Sequence, residues 1–274
     1  MDLCTVETYL QPTNLHDVQD WQADWAWLAG GTWLFTQPQP QVKTLVDMQH
    51  LGWSEIECAS DGLTIGATCV LSHLLQATYP PEWTAVTALH SAVHELASFK
   101  VQNVATIGGN VCLALPAGTF APALVALGAT YRLLAPNGST RNVPALAFQT
   151  GDRQTVLQSG EALRQIWIPA EYLTWRVGYR RICVATAGLA VTIVVVAYNP
   201  RTGATRIAIG AATPAPQLLS FTEMPSPMAM AAALDAQCPL TAYLDNEQAS
   251  AVYRRHVTLV MMQRACNDAL SANL

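Results

Sequence analysis

The chain has 274 residues, of which 51% are hydrophobic and 12% charged, and its formal net charge is −5 at pH 7. This length can bury a large core, and the negative balance without a run of Lys or Arg argues against nucleic-acid binding. The low charged fraction leaves more apolar surface than a solitary soluble monomer usually exposes, which favours a bound cofactor and partner subunits.

The first 55 residues are predicted to form a strand at 6–10, a helix at 15–21 and a second strand at 26–29. The second strand leads directly into a glycine pair, Gly30 and Gly31. A strand that ends in a glycine turn is a suitable context for phosphate contact.

The middle of the chain is predicted to contain two hairpins, several helices and a further strand. The second helix is expected to be capped by Thr84 and to end near Phe99, shortly before a second glycine pair at Gly108 and Gly109. The predicted ranges are a hairpin at 56–58 and 63–66, helices at 71–76, 84–99 and 122–127, a hairpin at 131–134 and 140–143, and a strand at 163–168.

From about residue 174 the pattern becomes antiparallel, with strands predicted at 176–181, 189–198 and 205–211 and a tail helix at 247–270. The apolar run at 187–198 is shorter than the roughly 20 residues that a transmembrane helix needs, so it predicts a buried strand and no membrane span. We therefore predict domains at 1–172, with subdomains of about 1–55 and 56–172, and at 173–274.

The N-terminal residues have no basic region followed by a hydrophobic stretch, so no secretory signal is expected and a cytoplasmic location is predicted. The seven cysteines are scattered and never in CxxC spacing. This pattern predicts reduced thiols and no iron–sulfur cluster in this chain. Cys69 and Cys112, both among apolar or small neighbours, are expected to be buried thiols rather than a redox pair.

The two glycine loops, at 29–32 and 106–110, are the most informative motifs. A Gly-Gly step permits a positive φ and brings bare N–H groups close to an anion, so two such loops fit the two phosphates of a dinucleotide. Neither loop has the Lys-Ser/Thr of a mononucleotide phosphate loop or the GxGxxG spacing of a Rossmann turn. The alternative is two unrelated tight turns.

Other polar and aromatic groups favour structural roles. His90 and His94 lie four residues apart but lack HExxH spacing and a third ligand, so an ordinary helix face is favoured over a metal pair. Arg254 and Arg255 are expected to form a solvated or partner-facing edge. The tryptophans at 21, 25, 27 and 33 are expected mostly to fill a seam between domains or subunits.

Five stretches, taken in order, resemble the FAD-binding (medium) subunits of molybdenum hydroxylases, the group that contains xanthine dehydrogenase and aerobic carbon monoxide dehydrogenase. The stretches are LAGGT at 28–32, NVATIGGN at 103–110, LPA at 115–117 with APAL at 121–124, GEAL at 160–163 before Ile168-Pro169, and SAVYRRH at 250–256.

The resemblance implies an α+β fold with a two-part FAD-binding domain of the PCMH or VAO-like type, followed by a C-terminal domain of a small antiparallel sheet with helices. It also implies that the loops line the FAD pyrophosphate and that Ala97 lies in a turn beside the cofactor. Thr119 would face the ribose end, Leu163 the flavin region, and Arg176 would take the place of a family Lys that approaches the cofactor. The implied cofactor-binding residues are Leu28, Ala29, Gly30, Gly31, Thr32, Trp33, Leu34, Ala97, Thr106, Ile107, Gly108, Gly109, Asn110, Thr119, Leu163 and Arg176.

By the same resemblance the chain is an oxidoreductase subunit that carries FAD and holds no metal or substrate-transforming residue. Electrons would reach FAD from a large molybdopterin-binding subunit through a small [2Fe-2S] subunit, and leave to NAD, oxygen or another acceptor. Two alternatives stay open, namely a self-sufficient flavin oxidoreductase of the same fold group and an interaction subunit without FAD. Trp33, Gln102, Ala105 and Thr119 depart from the family pattern, which leaves main-chain phosphate contacts intact but changes ribose, adenine and partner contacts.

Overall fold

The computed structural model of the chain describes residues 3–96, 98–185 and 188–271, and it has the mixed helix and strand content that the sequence predicts. The strands are β1 Thr8–Leu10, β2 Trp25–Leu28, β3 Thr44–Asp47, β4 Ile56–Ala59, β5 Gly62–Gly66, β6 Thr130–Leu134, β7 Thr140–Pro144, β8 Gln149–Gly151, β9 Gln154–Thr155, β10 Ala162–Pro169, β11 Arg176–Cys183, β12 Ala190–Tyr198, β13 Thr205–Gly210 and β14 Gln217–Phe221. The helices are α1 Leu71–Gln76, α2 Thr87–His94, α3 Phe99–Gln102, α4 Ile107–Leu113, α5 Phe120–Ala126, α6 Ala145–Phe148, α7 Ala170–Leu173, α8 Pro227–Gln237 and α9 Ala251–Ser271, with 3-10 turns at Leu15–Val18, Leu34–Thr36, Met48–Leu51, Thr84–Val86 and Leu240–Ala242.

The N-terminal sheet is parallel, in the order β1-β3-β2. β3 is the central strand and is buried along its length, since Leu45 and Val46 have neighbours on both sides. Such continuous burial is typical of a parallel strand that is covered on both faces. β2 is an edge strand and ends at Leu28, so the first glycine loop begins at that edge of the sheet.

The second sheet is antiparallel, in the order β4-β5-β10-β6-β7, and contains both hairpins that the sequence predicts. Ile166 on β10 pairs with Ile65 on β5 and with Tyr131 on β6, and all three side chains are essentially inaccessible to solvent. The helices α1, α2, α4 and α5 contribute buried side chains to the same core. This core fixes α4, and the second glycine loop at its start, against the sheet.

The third sheet is an antiparallel meander, β11-β12-β13-β14. Its first three strands correspond to those predicted at 176–181, 189–198 and 205–211, whereas β14 is a strand that the sequence analysis does not predict. Its central strand β12 is buried on both faces because successive side chains point to opposite sides of a strand. Ile193 and Val195 join the core of the preceding sheet and helices, whereas Val194 and Val196 pack with the side chains of α9. The boundary near residue 172 stays a prediction.

Two predicted helices are shorter in the structure. The segment 15–21 contains only a 3-10 turn, Leu15–Val18, which is closed by a capping box between Asn14 and Asp17. The segment 84–99 is also broken, because the chain is extended at Ser98, with φ −87° and ψ 160°, before α3 begins. Thr84 does not cap a helix, since its hydroxyl donates instead to the carbonyl of Trp175 at 3.1 Å.

The expectation for Arg254 is wrong. Its side chain is only 1% exposed, in the interior of the unit that α9 forms with β12 and β13. The guanidinium donates to the main-chain carbonyls of Val191 and Ala211 and to the side chain of Asn246. Arg255, one residue later, points outward and forms a bidentate pair with Asp235, as an edge residue would.

No helix within the described ranges is both long and apolar enough to cross a bilayer.

Candidate cofactor-binding site

The first glycine loop connects β2 to the 3-10 turn that begins at Leu34. Gly31 adopts a φ of +67°, the left-handed conformation that glycine tolerates at little cost. Among the described residues, the main-chain N–H groups of residues 30–33 have no acceptor, although these residues are half-buried. A row of unpaired N–H groups in a glycine turn forms a concavity suited to an anion.

The second glycine loop is built differently, because it is the first turn of α4. Thr106 caps this helix, and its hydroxyl accepts the N–H of Gly109 at 3.0 Å. The N–H groups of Ile107 and Gly108 donate to carbonyls of residues 69 and 67, and that of Asn110 donates to the carbonyl of Thr106. The expectation that both loops present bare amides therefore holds only for the first loop.

The two loops pack against each other through their glycines. A Cβ atom built on Gly30 would lie 2.1 Å from the carbonyl oxygen of Val104, just before the second loop. A Cβ atom on Gly109 would lie 3.8 Å from the Cβ of Ala29 in the first loop. Two segments about 75 residues apart in the chain, each glycine-paired, thus lie side by side.

Within the described residues, two polar atoms here are buried without a hydrogen-bond partner, namely the Oδ1 of Asn110, in the second loop, and the Oγ1 of Thr119. A Cβ atom built on Gly118, the residue before Thr119, would lie 3.7 Å from the Asn110 oxygen. The hydroxyl of Tyr179 donates to the main-chain carbonyl of Thr119 at 3.1 Å, which leaves the threonine side chain free. Buried polar groups in native proteins are almost always paired, so these atoms point to a polar ligand.

Leu163, implied to border the flavin, is a buried residue of β10, and its backbone contacts the thiol of Cys112 on α4. Burial raises the pKa of Cys112 to about 12, so this thiol stays neutral. Cys69 is fully buried and its pKa is likewise raised by burial to about 12, as expected for a core thiol. Both cysteines therefore lack thiolate character.

The contacts that the structure gives for Arg176 lie outside the two loops. Its guanidinium lies 3.4 Å from the carbonyl of Leu270 and borders a surface cavity that Trp83 and His90 also line. Another arginine of β11, Arg181, lies at the end of α2, with its Nη1 3.4 Å from the Oε2 of Glu95. Ala97 itself lies outside the described residues. Nothing in the local sequence distinguishes Arg181 from its neighbours, because the difference arises from the direction of the strand.

Arg153 is a second residue that sequence reasoning missed. It lies in the turn between β8 and β9, and its guanidinium carbon is 5.3 Å from the centroid of the Trp33 ring. The two residues are 120 positions apart, so no local pattern could join them. The contact places a cation next to the first glycine loop.

The remaining predictions concern the tryptophans and the histidines. Trp27 donates its indole N–H to the carbonyl of Gly160 at 3.2 Å and stacks on Trp21 at 4.6 Å, so both lie in the seam between the N-terminal sheet and β10, as expected. His90 lies 3.1 Å from the carbonyl of Leu74, in line with the helix-face interpretation. Within the described ranges, no three His, Cys, Asp or Glu side chains are grouped as a metal site.

Comparisons with known proteins show which family the chain is similar to and which fold it shares. A family model described as the FAD binding domain in molybdopterin dehydrogenase matches residues 5–171. Xanthine dehydrogenase of Oryza sativa subsp. japonica is 28% identical over 137 residues, which is 47% of this chain but only 10% of the rice protein's length. Caffeine dehydrogenase subunit beta of Pseudomonas sp. strain CBB1 is 28% identical over 204 residues, or 69% of this chain and 68% of the subunit. A chain of reconstituted CO dehydrogenase from Oligotropha carboxidovorans superimposes with a TM-score of 0.85 at 22% identity, covering 98% of this chain and 99% of that one, and shares its fold.

Proposed function

The chain belongs to the family of FAD-binding domains in molybdopterin dehydrogenases and is a flavoprotein component of oxidoreductase type. We propose that it is the electron-transferring subunit of a heteromeric molybdenum hydroxylase. One observation carries the proposal. The two glycine loops pack against each other, the amides of residues 30–33 have no acceptor among the described residues, and the Oδ1 of Asn110 in the second loop is buried without a partner there. This arrangement suits the diphosphate and hydroxyl groups of FAD.

We assign the diphosphate to the amides of residues 30–33, because those N–H groups have no acceptor among the described residues. The second loop contributes a surface free of side chains at Gly109, and the orphaned oxygens of Asn110 and Thr119 would accept from ribityl or ribose hydroxyls. Trp33 would lie beside the cofactor, since it directly follows the amides. FAD, when bound, supplies the transfer of one or two electrons.

We place Arg181, rather than Arg176, on the flavin side of the site. Its side chain is only 10% exposed and lies against Glu95 and the carbonyl of Gly188. Its Nε is buried and has no acceptor among the residues that the structure describes. A buried cation with an unused donor can stabilise negative charge on a reduced flavin.

The partners we propose are a large molybdopterin-binding subunit and a small [2Fe-2S] subunit, with NAD, oxygen or another acceptor receiving the electrons. Exposed large apolar side chains support a protein partner, since Phe99 is 67% exposed, Val104 49% and Val184 77%. Val104 directly precedes the second glycine loop. Large exposed apolar side chains are typical of an interaction surface when they form a patch.

The test has two parts. The purified chain is titrated with FAD while flavin fluorescence is followed, and it is also purified from cells that express its natural neighbours. We expect one FAD per chain and two further co-purifying polypeptides. Failure of the chain to bind FAD would refute the proposal in favour of an interaction subunit, and FAD without partners would favour a self-sufficient flavin oxidoreductase.

A variant connects the test to the site. Trp33→Phe keeps an aromatic ring but changes its size and removes the indole N–H. We expect both the FAD affinity and the fluorescence of the bound flavin to change. Unchanged values for both would remove Trp33 from the cofactor site. Oxidation of the reduced complex with NAD⁺ and, separately, with oxygen then identifies the acceptor.

A further inference from the structure

The turn of the two-stranded ribbon β8-β9 places a cation, Arg153, next to Trp33 of the first glycine loop. Arg153, at its tip, places its guanidinium carbon 5.3 Å from the ring centroid of Trp33, within the range of a cation–π contact. The side chain is exposed, and within the described ranges it forms no ion pair. Its charge is therefore available to a ligand.

The tip of the ribbon is held in place by the helix of the second loop. The N–H of Arg153 donates to the carbonyl of Ala114 at 2.9 Å, and the buried side chain of Gln149 donates to the same carbonyl at 2.8 Å. Ala114 is the C-terminal cap of α4, a helix of seven residues whose first turn is the second glycine loop, so this anchor is about 6 Å along the helix from Asn110, the last residue of that loop. Arg153 has a φ of +53°, which a residue with a side chain seldom adopts unless its surroundings impose it.

A bound diphosphate needs more than amides. It carries about two negative charges, whereas the first loop offers neutral N–H groups. Other cations of this part of the chain already have carboxylate partners, as Arg141 does with Glu161 and Arg164 with Glu55. Arg153 is the cation whose contact reaches the first loop.

We propose that Arg153 neutralises the diphosphate of FAD at the first glycine loop, and that Trp33 holds the flat face of its guanidinium. A guanidinium stacked on an aromatic ring keeps its N–H edge free. That edge can donate two parallel hydrogen bonds to phosphate oxygens. The proposal rests on the proposed function, since it takes FAD as the ligand.

The experiment measures the dissociation constant of FAD for the full chain at 50 mM and 500 mM NaCl. The variants are Arg153→Gln, Arg153→Lys and, as a control at another exposed turn, Arg201→Gln. Gln and Lys have the same backbone preferences as Arg at a positive φ, and thermal unfolding of each variant verifies the fold.

At 50 mM NaCl we expect Arg153→Gln to raise the dissociation constant about tenfold, the size of one charge-assisted contact. Arg153→Lys should raise the dissociation constant by a smaller factor, and Arg201→Gln should leave it unchanged. At 500 mM NaCl the difference between Arg153→Gln and the unaltered chain should shrink, because salt screens an exposed charge.

Equal affinity of Arg153→Gln and the unaltered chain at low salt would overturn the proposal, as would a loss that is the same at both salt concentrations. Both results presuppose that the unaltered chain binds FAD. If it does not, the proposed function itself fails, so the two failures are distinguishable.

Discussion

Replacing the buried Arg254 by Met is the sharpest test of how the C-terminal unit is held together. Met has a similar length and apolar stem but lacks the charge and the donors. In the structure the guanidinium of Arg254 lies 2.7 Å from the carbonyl of Val191, 3.1 Å from that of Ala211 and 2.9 Å from the Oδ1 of Asn246. It therefore ties the helix α9 to β12, to the end of β13 and to the turn before the helix.

The magnitude follows from the two main-chain contacts, because the Oδ1 of Asn246 also accepts from the N–H groups of Gln248 and Ala249 and keeps those partners. A buried acceptor that loses its donor costs about 1 kcal/mol or somewhat more, so loss of the donor to the carbonyls of Val191 and Ala211 should lower the free energy of unfolding of Arg254→Met by about 2 kcal/mol. Relief of desolvation opposes this loss, since burial lowers the pKa of Arg254 and its Nε has no acceptor among the described residues. We expect the loss to prevail because removing one partner of a buried polar contact leaves the other without compensation.

The matched control is the same substitution one residue later. Arg255→Met removes a bidentate pair with Asp235, but both side chains are at least one third exposed, and such surface pairs contribute at most about 1 kcal/mol. Urea unfolding is followed by far-UV circular dichroism for both variants. If Arg254→Met were no less stable than Arg255→Met, the reasoning that the buried guanidinium holds α9 in place would be refuted.

Three further changes test the site and its frame. Gly30→Ala, whose new Cβ would lie 2.1 Å from the carbonyl oxygen of Val104, should separate the loops and weaken FAD binding at least about tenfold in a fluorescence titration. Gly178→Ala, with its Cβ 2.0 Å from the carbonyl oxygen of Ala265, should lower the free energy of unfolding by about 1–3 kcal/mol, measured with urea. His90→Gln should reduce the loss of melting temperature between pH 7.5 and 5.5, because burial lowers the pKa of His90 in the folded chain, so the unfolded chain takes up more protons as the pH falls.

The controls for these changes lie on the surface. A Cβ on Gly138 would meet nothing within 4 Å, so Gly138→Ala, at a φ of +83°, reports backbone strain without a clash. Equal FAD affinity for it and for the alanine variant at position 30 would contradict the close approach of the loops. The exposed His256 provides the control for His90→Gln. If His256→Gln reduced the loss of melting temperature between pH 7.5 and 5.5 as much as His90→Gln does, burial of His90 would not be the cause of that loss.

The sequence predicts those elements that local pattern determines. The helix Leu71–Gln76 and both hairpins are confirmed because each has its own periodicity and turn residues within a short window. The buried strand β12 is confirmed as well, since a long apolar run bounded by Arg and by Asn-Pro permits little else. The glycine loops stand out for the same reason, as motifs of four or five consecutive residues.

The sequence does not reveal features that depend on closure of the chain. Arg254 and Arg255 are identical in type and adjacent, and only the packing of α9 decides which of them is buried. Arg153 reaches Trp33 across 120 positions through a two-stranded ribbon with no recognisable pattern. The loss of free amides in the second loop also follows from tertiary structure, because carbonyls of residues 67 and 69 take two of its N–H groups.

The difference between the two loops explains how a departure from the family pattern can be tolerated. Where the first loop of the resembled family usually continues with Asp, this chain has Trp33. A carboxylate there would repel a diphosphate bound to the adjacent amides, and the repulsion would be larger in a half-buried site than in water. Trp33 removes that negative charge and supplies a ring whose centroid lies 5.3 Å from the guanidinium carbon of Arg153. Having Trp33 in place of Asp makes the charge beside the first loop less negative, which favours a dianionic ligand. The change lies at the loop whose amides are unpaired among the described residues.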